Sequence, residues 1–111
     1  MSLPRLRDDG HTVTLDLHGV RVDEAERFIL RTAALAAERG RHRLTVIHGA
    51  STSSELYRNR TIRHRLYDLL DAGDLDAWVT SELRLDGSTL LGLDGARASN
   101  PTPLTPRDIM P

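Results

Sequence analysis

The strongest constraint on this chain is a change of period near its start. From Thr12 to Leu17 apolar and polar residues alternate, with Val13, Leu15 and Leu17 on one side and Thr14, Asp16 and His18 on the other. That pattern predicts a half-buried strand, which Gly19 interrupts. From Ala25 the period changes: Ala25, Phe28, Ile29, Thr32 and Leu35 or Ala36 recur at helical spacing up to Arg39, and Gly40 supplies a stop. Asp23 and Glu26 read as an N-cap with its capping-box partner. Leu44–Ile47 is a short apolar strand ended by His48-Gly49. A strand, a crossover helix and a strand of these lengths dictate a parallel pair with a right-handed connection.

The rest of the chain completes the pattern. A second helix is expected from about Asn59, with Ile62, Leu66, Leu69 and Leu70 as its stripe and Gly73 as its end. Ala77–Leu83 and Ser88–Leu93 read as strands joined at Asp86-Gly87, a hairpin signal. The order β-α-β-α-β-β predicts an α/β two-layer sandwich: a four-stranded mixed sheet with two helices on one face and the other face partly open. The 111 residues fit one domain. Residues 1–11 read as a flexible N-terminus, 12–94 as the folded domain, and 95–111, rich in Pro, Ser and Asn, as a disordered tail.

Composition excludes several chemistries. Without cysteine there is no disulfide, thiolate nucleophile, zinc ribbon or iron–sulfur cluster. No apolar run approaches the roughly 20 residues that span a bilayer, and residues 1–10 lack the apolar core of a signal peptide. The expectation is a cytoplasmic protein with no membrane partner. The formal charge of −1 conceals an asymmetry. Between Arg39 and Arg65 lie seven arginines and a single acid, Glu55. That stretch suggests a basic edge for an anionic partner, drawn from Arg41, Arg43, Arg58, Arg60 and Arg63. The alternative is that these charges only solvate loop-flanking surfaces.

Asp16 and His18 lie two apart on a strand and so share a face. His48 ends the next parallel strand, and groups at the carboxyl ends of parallel strands gather in one crevice. A carboxylate can orient an imidazole, and two imidazoles can divide the roles of general base and general acid. Gly19 and Gly49 beside them would let a sugar–phosphate backbone approach closely. The alternatives are that each histidine is a satisfied polar group and that Asp16 caps a turn. Tyr57, next to Arg58 and Arg60, either stacks on an unpaired base or anchors its loop.

The segment Leu15-Asp16-Leu17-His18-Gly19, followed by a helix and then by Ile47-His48-Gly49 after a strand, resembles the Smr (small MutS-related) domain. Gly87-Ser88-Thr89 matches the G-x-T turn before that family's last strand. The similarity runs from about Val13 to Leu93. It implies a β-α-β-α-β-β sandwich similar to the C-terminal domain of a bacterial translation initiation factor. It also implies association with DNA nicking, endoribonuclease activity and stalled ribosomes. Site roles are thereby implied for Asp16 and His18 from the first motif, and for His48 and Gly49 from the second. Ser51 stands where the family's H-G-x-G motif has its second glycine, and a serine at positive φ would strain or remodel that loop.

Two functions follow. The first is an endonuclease in which Asp16, His18 and His48 cut RNA without a cofactor, since RNA carries its own nucleophile. DNA would need activated water and hence a divalent metal. The second is a non-catalytic module that binds nucleic acid or a ribosomal surface.

Overall fold

The computed structural model of the chain describes residues 4–49, 61–94 and 101–110. Its elements run β1 (Arg5–Asp8), β2 (Thr12–Asp16), α1 (Val22–Glu38), β3 (Arg43–Ile47), α2 (Ile62–Ala72), β4 (Val79–Arg84), β5 (Ser88–Leu93) and a short α3 (Pro106–Ile109). The sheet order is β1-β2-β3-β5-β4. Only β2 and β3 are parallel; β1 on β2, β3 on β5 and β4 on β5 are antiparallel.

The α/β class and the sequence of elements from β2 to β5 agree with the pattern read from the residues. The sheet, however, has five strands rather than four. Residues 5–8, expected to be flexible, pair with β2 over their whole length. Two helix starts also move. Helix α1 begins at Val22 after Arg21, with no side-chain cap, so Asp23 sits in its first turn and acts on the helix dipole instead. Helix α2 begins at Ile62, and the Thr61 hydroxyl accepts the His64 main-chain N–H at 3.1 Å.

One face of the sheet is sealed. Val13, Leu15, Leu44, Val46, Thr89 and Leu91 are all completely buried. They meet Ala25, Phe28, Ile29, Ala33 and Ala36 of α1 and Ile62, Leu66 and Leu69 of α2 in one core. The alternate residues face the other way and stay partly accessible: Thr14 and Asp16 of β2, Thr45 and Ile47 of β3, Leu90 of β5. The chain is therefore a two-layer sandwich with an open sheet face.

The tail expected to be disordered also contributes to the core over its described part. Leu104 and Ile109 are buried, and Thr105 and Asp108 form a capping box on α3. An ion pair holds this segment. Asp8 and Arg41, both buried, meet bidentately, Oδ1 on Nε at 2.7 Å and Oδ2 on Nη2 at 3.0 Å. Asp8 also accepts the main-chain N–H groups of Gly10 and Leu104, while Arg41 donates to the carbonyls of Arg39 and Thr102. Burial alone would raise the Asp8 pKa. The guanidinium and the two amides outweigh it and hold the carboxyl below its usual range.

Removing one partner of such a pair strands the other charge in the core. We expect Asp8→Ala to destabilise the domain by about 3–5 kcal/mol in urea denaturation. Arg107→Ala, on the surface of α3, should change stability by less than about 0.5 kcal/mol. A small loss for Asp8→Ala would contradict this account of how the ends of the chain are held.

Candidate nucleic-acid interface

The carboxyl ends of β2 and β3 lie side by side, with Asp16 opposite Ile47 and the Leu17 N–H bonded to the Ile47 carbonyl at 2.9 Å. Both sequence motifs are therefore at one end of the sheet. Their side chains are not on one face. Asp16 shares the open face with its cross-strand neighbour Ile47. Its Oδ1 accepts the His18 main-chain N–H at 2.9 Å, fixing the turn at Gly19, whose φ is +81°. His18 is exposed at that turn.

His48 follows the parity of Leu44 and Val46 and enters the sealed side. It is only 8% exposed, and its ring meets the Tyr67 ring of α2 edge-on at 6.2 Å. Its Nδ1 lies 2.9 Å from the Gly49 carbonyl, which can only accept, so the proton is on Nδ1. Nε2 then accepts the Thr89 hydroxyl at 3.0 Å. Burial pushes the imidazole below its ordinary pKa; the Gly49 carbonyl opposes this and the charge of Arg63 adds to it. His48 is a neutral, doubly bonded ring. The main-chain N–H groups of His48 and Gly49 both donate to the Gly87 carbonyl, at 3.2 and 3.0 Å. The H-G and G-x-T segments thus clasp each other. Gly49 has φ +83°, which favours glycine, and its amide is occupied by this clasp and not turned toward a ligand.

The meeting of Asp16, His18 and His48 at one mouth is therefore replaced by a division: Asp16 and His18 on the accessible side, His48 inside. Among the described residues no three His, Cys, Asp or Glu side chains are grouped to hold a metal ion. Asp16, His18 and His48 are therefore not gathered as ligands for a divalent ion.

The arginine-dense stretch is also redistributed. Arg41, proposed to touch nucleic acid, is fully buried on Asp8 and cannot do so. Arg63 pairs with Asp86 at 3.6 Å, Arg65 with Glu26 at 3.5 Å, and Arg39 reaches the Thr102 carbonyl and Asp108. Acids from distant parts of the chain neutralise what looked like one basic edge. Arg43 remains, exposed on the open face. Ser51, Tyr57, Arg58 and Arg60 lie outside the described residues.

Sequence reasoning missed Arg5 and Arg7. Because Arg5 stands opposite Asp16 and Arg7 opposite Thr14, both belong to the open face. A depression of about 300 Å³ there is lined by Arg5, Leu6, Arg7, Thr14, Asp16 and Ile47. The signal was the alternation Arg5-Leu6-Arg7-Asp8, which the single apolar residue made too weak to read.

This combination, a mixed sheet closed by helices on one side with an Asp-x-His corner at the end of a parallel strand, defines a two-layer α/β module. The Smr domain model matches residues 15–84, more than half of the chain, and the protein belongs to the Smr family. No curated protein and no solved structure shows significant similarity to it. Membership points to nucleic-acid binding. No helix among the described residues is long and apolar enough to cross a membrane.

The depressed His48 pKa fixes the sign of a pH effect. Below the usual imidazole value the unfolded chain binds a proton that the folded one refuses. This stability is complete above about pH 6.5 and declines as pH falls toward the folded value. Urea denaturation should therefore show a weaker fold at pH 5.5 than at pH 7.5, with the difference reduced in His48→Gln. A difference unchanged in that variant would remove His48 as its source. Thr89→Val, which leaves Nε2 unbonded, should cost about 1–3 kcal/mol at pH 7.5.

Proposed function

We propose that this Smr domain binds nucleic acid at the open end of β2 and cleaves RNA there. The observation that carries the reading is the Asp16 carboxylate fixing the turn that presents His18, beside a depression of nucleotide scale lined by two arginines. In this role His18 acts as general base. It takes the proton of a ribose 2′-hydroxyl, whose oxygen forms a bond to the adjacent phosphorus. The bond to the 5′-oxygen breaks, and that oxygen takes a proton from a water that in turn receives the proton held by His18, which restores the base. The products are a 2′,3′-cyclic phosphate and a 5′-hydroxyl. Asp16 positions the histidine turn, and the arginines stabilise charge on the phosphate oxygens. His48 supports the site from beneath. No metal is needed for this reaction, whereas cutting DNA would require one to activate water.

A second reading has its own support. A buried, neutral His48 is a poor second proton carrier, and Ser51 replaces a motif glycine. A non-catalytic module that binds RNA, including a ribosomal RNA surface, fits those two facts.

One assay separates them. Structured RNA, single-stranded DNA and supercoiled plasmid are incubated with the protein, with and without chelator. We expect RNA cleavage that survives chelator, ends in cyclic phosphate, and falls at least about 10²-fold in His18→Ala. Binding without cleavage under every condition would establish the second reading, and cleavage undiminished in His18→Ala would remove the mechanism.

A further inference from the structure

A polynucleotide that reaches the Asp16–His18 corner must lie along a surface of the domain. The two faces of the sheet differ sharply in how their arginines are used. On the helix side, or around it, Arg39, Arg41, Arg63, Arg65 and Arg84 all engage acids. Arg84 additionally stacks on Tyr67 at 4.3 Å. On the open face, Arg5, Arg7 and Arg43 are exposed and take part in no ion pair among the described residues. Asp16, on β2 between the two strands that carry them, is the single carboxylate on the open face of β1, β2 and β3.

Their placement follows from the register. Arg5 and Arg7 flank one row of the face, opposite Asp16 and Thr14; Arg43 stands opposite Thr12 on the other side of β2. Threonines 12, 14 and 45 line the strip between them, with Ile47 as an apolar floor beside Asp16. Successive same-face residues on a strand are about 6.6–6.8 Å apart, twice the roughly 3.4 Å rise per nucleotide of one strand. Guanidinium forks suit phosphate oxygens, and hydroxyl groups suit sugar and base edges. Among the described residues no Phe, Tyr or Trp lies on this strip, and the paired His11 and His42 rings flank only its Thr12 end, so phosphate contacts dominate over base stacking.

We infer that the open sheet face is a track for a single nucleic-acid strand, with Arg5, Arg7 and Arg43 as its phosphate ligands and its end at Asp16 and His18. Two of the three arginines come from β1, which lies outside the region matched by the family model. The strand added at the edge is therefore a binding element of this chain, and the depression beside Asp16 receives the nucleotide delivered to the corner. The inference rests on the nucleic-acid reading of the site and is tested apart from it.

The probes are fluorescently labelled 12-nucleotide oligouridylate and oligothymidylate, titrated with the full chain by anisotropy from 50 to 200 mM salt. Three phosphate contacts on a single strand contribute about −2 to the slope of log affinity against log salt. Arg5→Ala/Arg7→Ala/Arg43→Ala should lose about that much slope and at least tenfold in affinity at 50 mM salt. Arg27→Ala/Arg107→Ala, which removes two exposed arginines elsewhere, should match the wild type. The triple Lys variant keeps the charge and should retain most of the slope, showing that loss in the Ala variant is not loss of fold. Equal binding of both oligomers would assign the track to phosphate; tighter binding of the uridylate would add contacts to the 2′-hydroxyl. If the wild type binds and the triple Ala variant keeps its slope, the track is wrong while the nucleic-acid reading stands. If the wild type binds neither oligomer, both fall.

Discussion

The buried Asp8–Arg41 pair is the interaction on which the rest of the structure depends. It joins three pieces of chain that have little reason to meet otherwise: the edge strand β1, the turn after α1, and the segment carrying Leu104 and Ile109. Charges in a core are stable only when paired and fully hydrogen-bonded, and here the carboxylate accepts four hydrogen bonds. The pair also sets a parity. Side chains alternate along a strand, so drawing Asp8 inward draws Leu6 inward and turns Arg5 and Arg7 outward. A contact that holds the fold together thereby decides which face of the sheet is basic.

A second group of contacts separates two motifs that look alike in the chain. Both end a parallel strand with histidine and glycine. At the first, Asp16 grips the backbone of His18 and leaves the ring in solvent. At the second, Gly49, Thr89 and the Gly87 carbonyl enclose His48. The difference is one of parity: His48 stands one position beyond Ile47, the outward partner of Asp16, so the ring falls under the sheet. The first motif leaves its histidine accessible, as the proposed reaction requires, and the second holds the strand end and the hairpin against each other. Motif residues in this family member therefore divide between an accessible corner and a buried clasp.

Much of this was legible in the residues. The Val13–Leu17 alternation, the Ala25–Ala36 stripe, Gly40, Gly73 and the Asp86-Gly87 hairpin each located an element, because each reports a local period or a backbone requirement. Long-range contacts left weaker traces. A strand with one apolar residue, Leu6, carries no detectable period, and Leu104 and Ile109 are isolated among prolines and polar residues. Arg41 sits in a run of arginines that reads as surface; only its distant partner Asp8 reveals it as core. The side of the sheet taken by His48 could be counted from Leu44 and Val46. The expectation that strand ends converge in one crevice concealed it, since convergence in position does not imply convergence in facing.

The central claim is that nucleic acid lies on the open face and reaches Asp16 and His18. The most direct test follows the arginine Nε–H resonances of the isotope-labelled protein by NMR as oligouridylate is added. The account predicts that the signals of Arg5, Arg7 and Arg43 shift together and saturably, while those of Arg27 and Arg84 stay in place. Shifts confined to arginines outside this face, with Arg5, Arg7 and Arg43 unmoved at saturation, would contradict it.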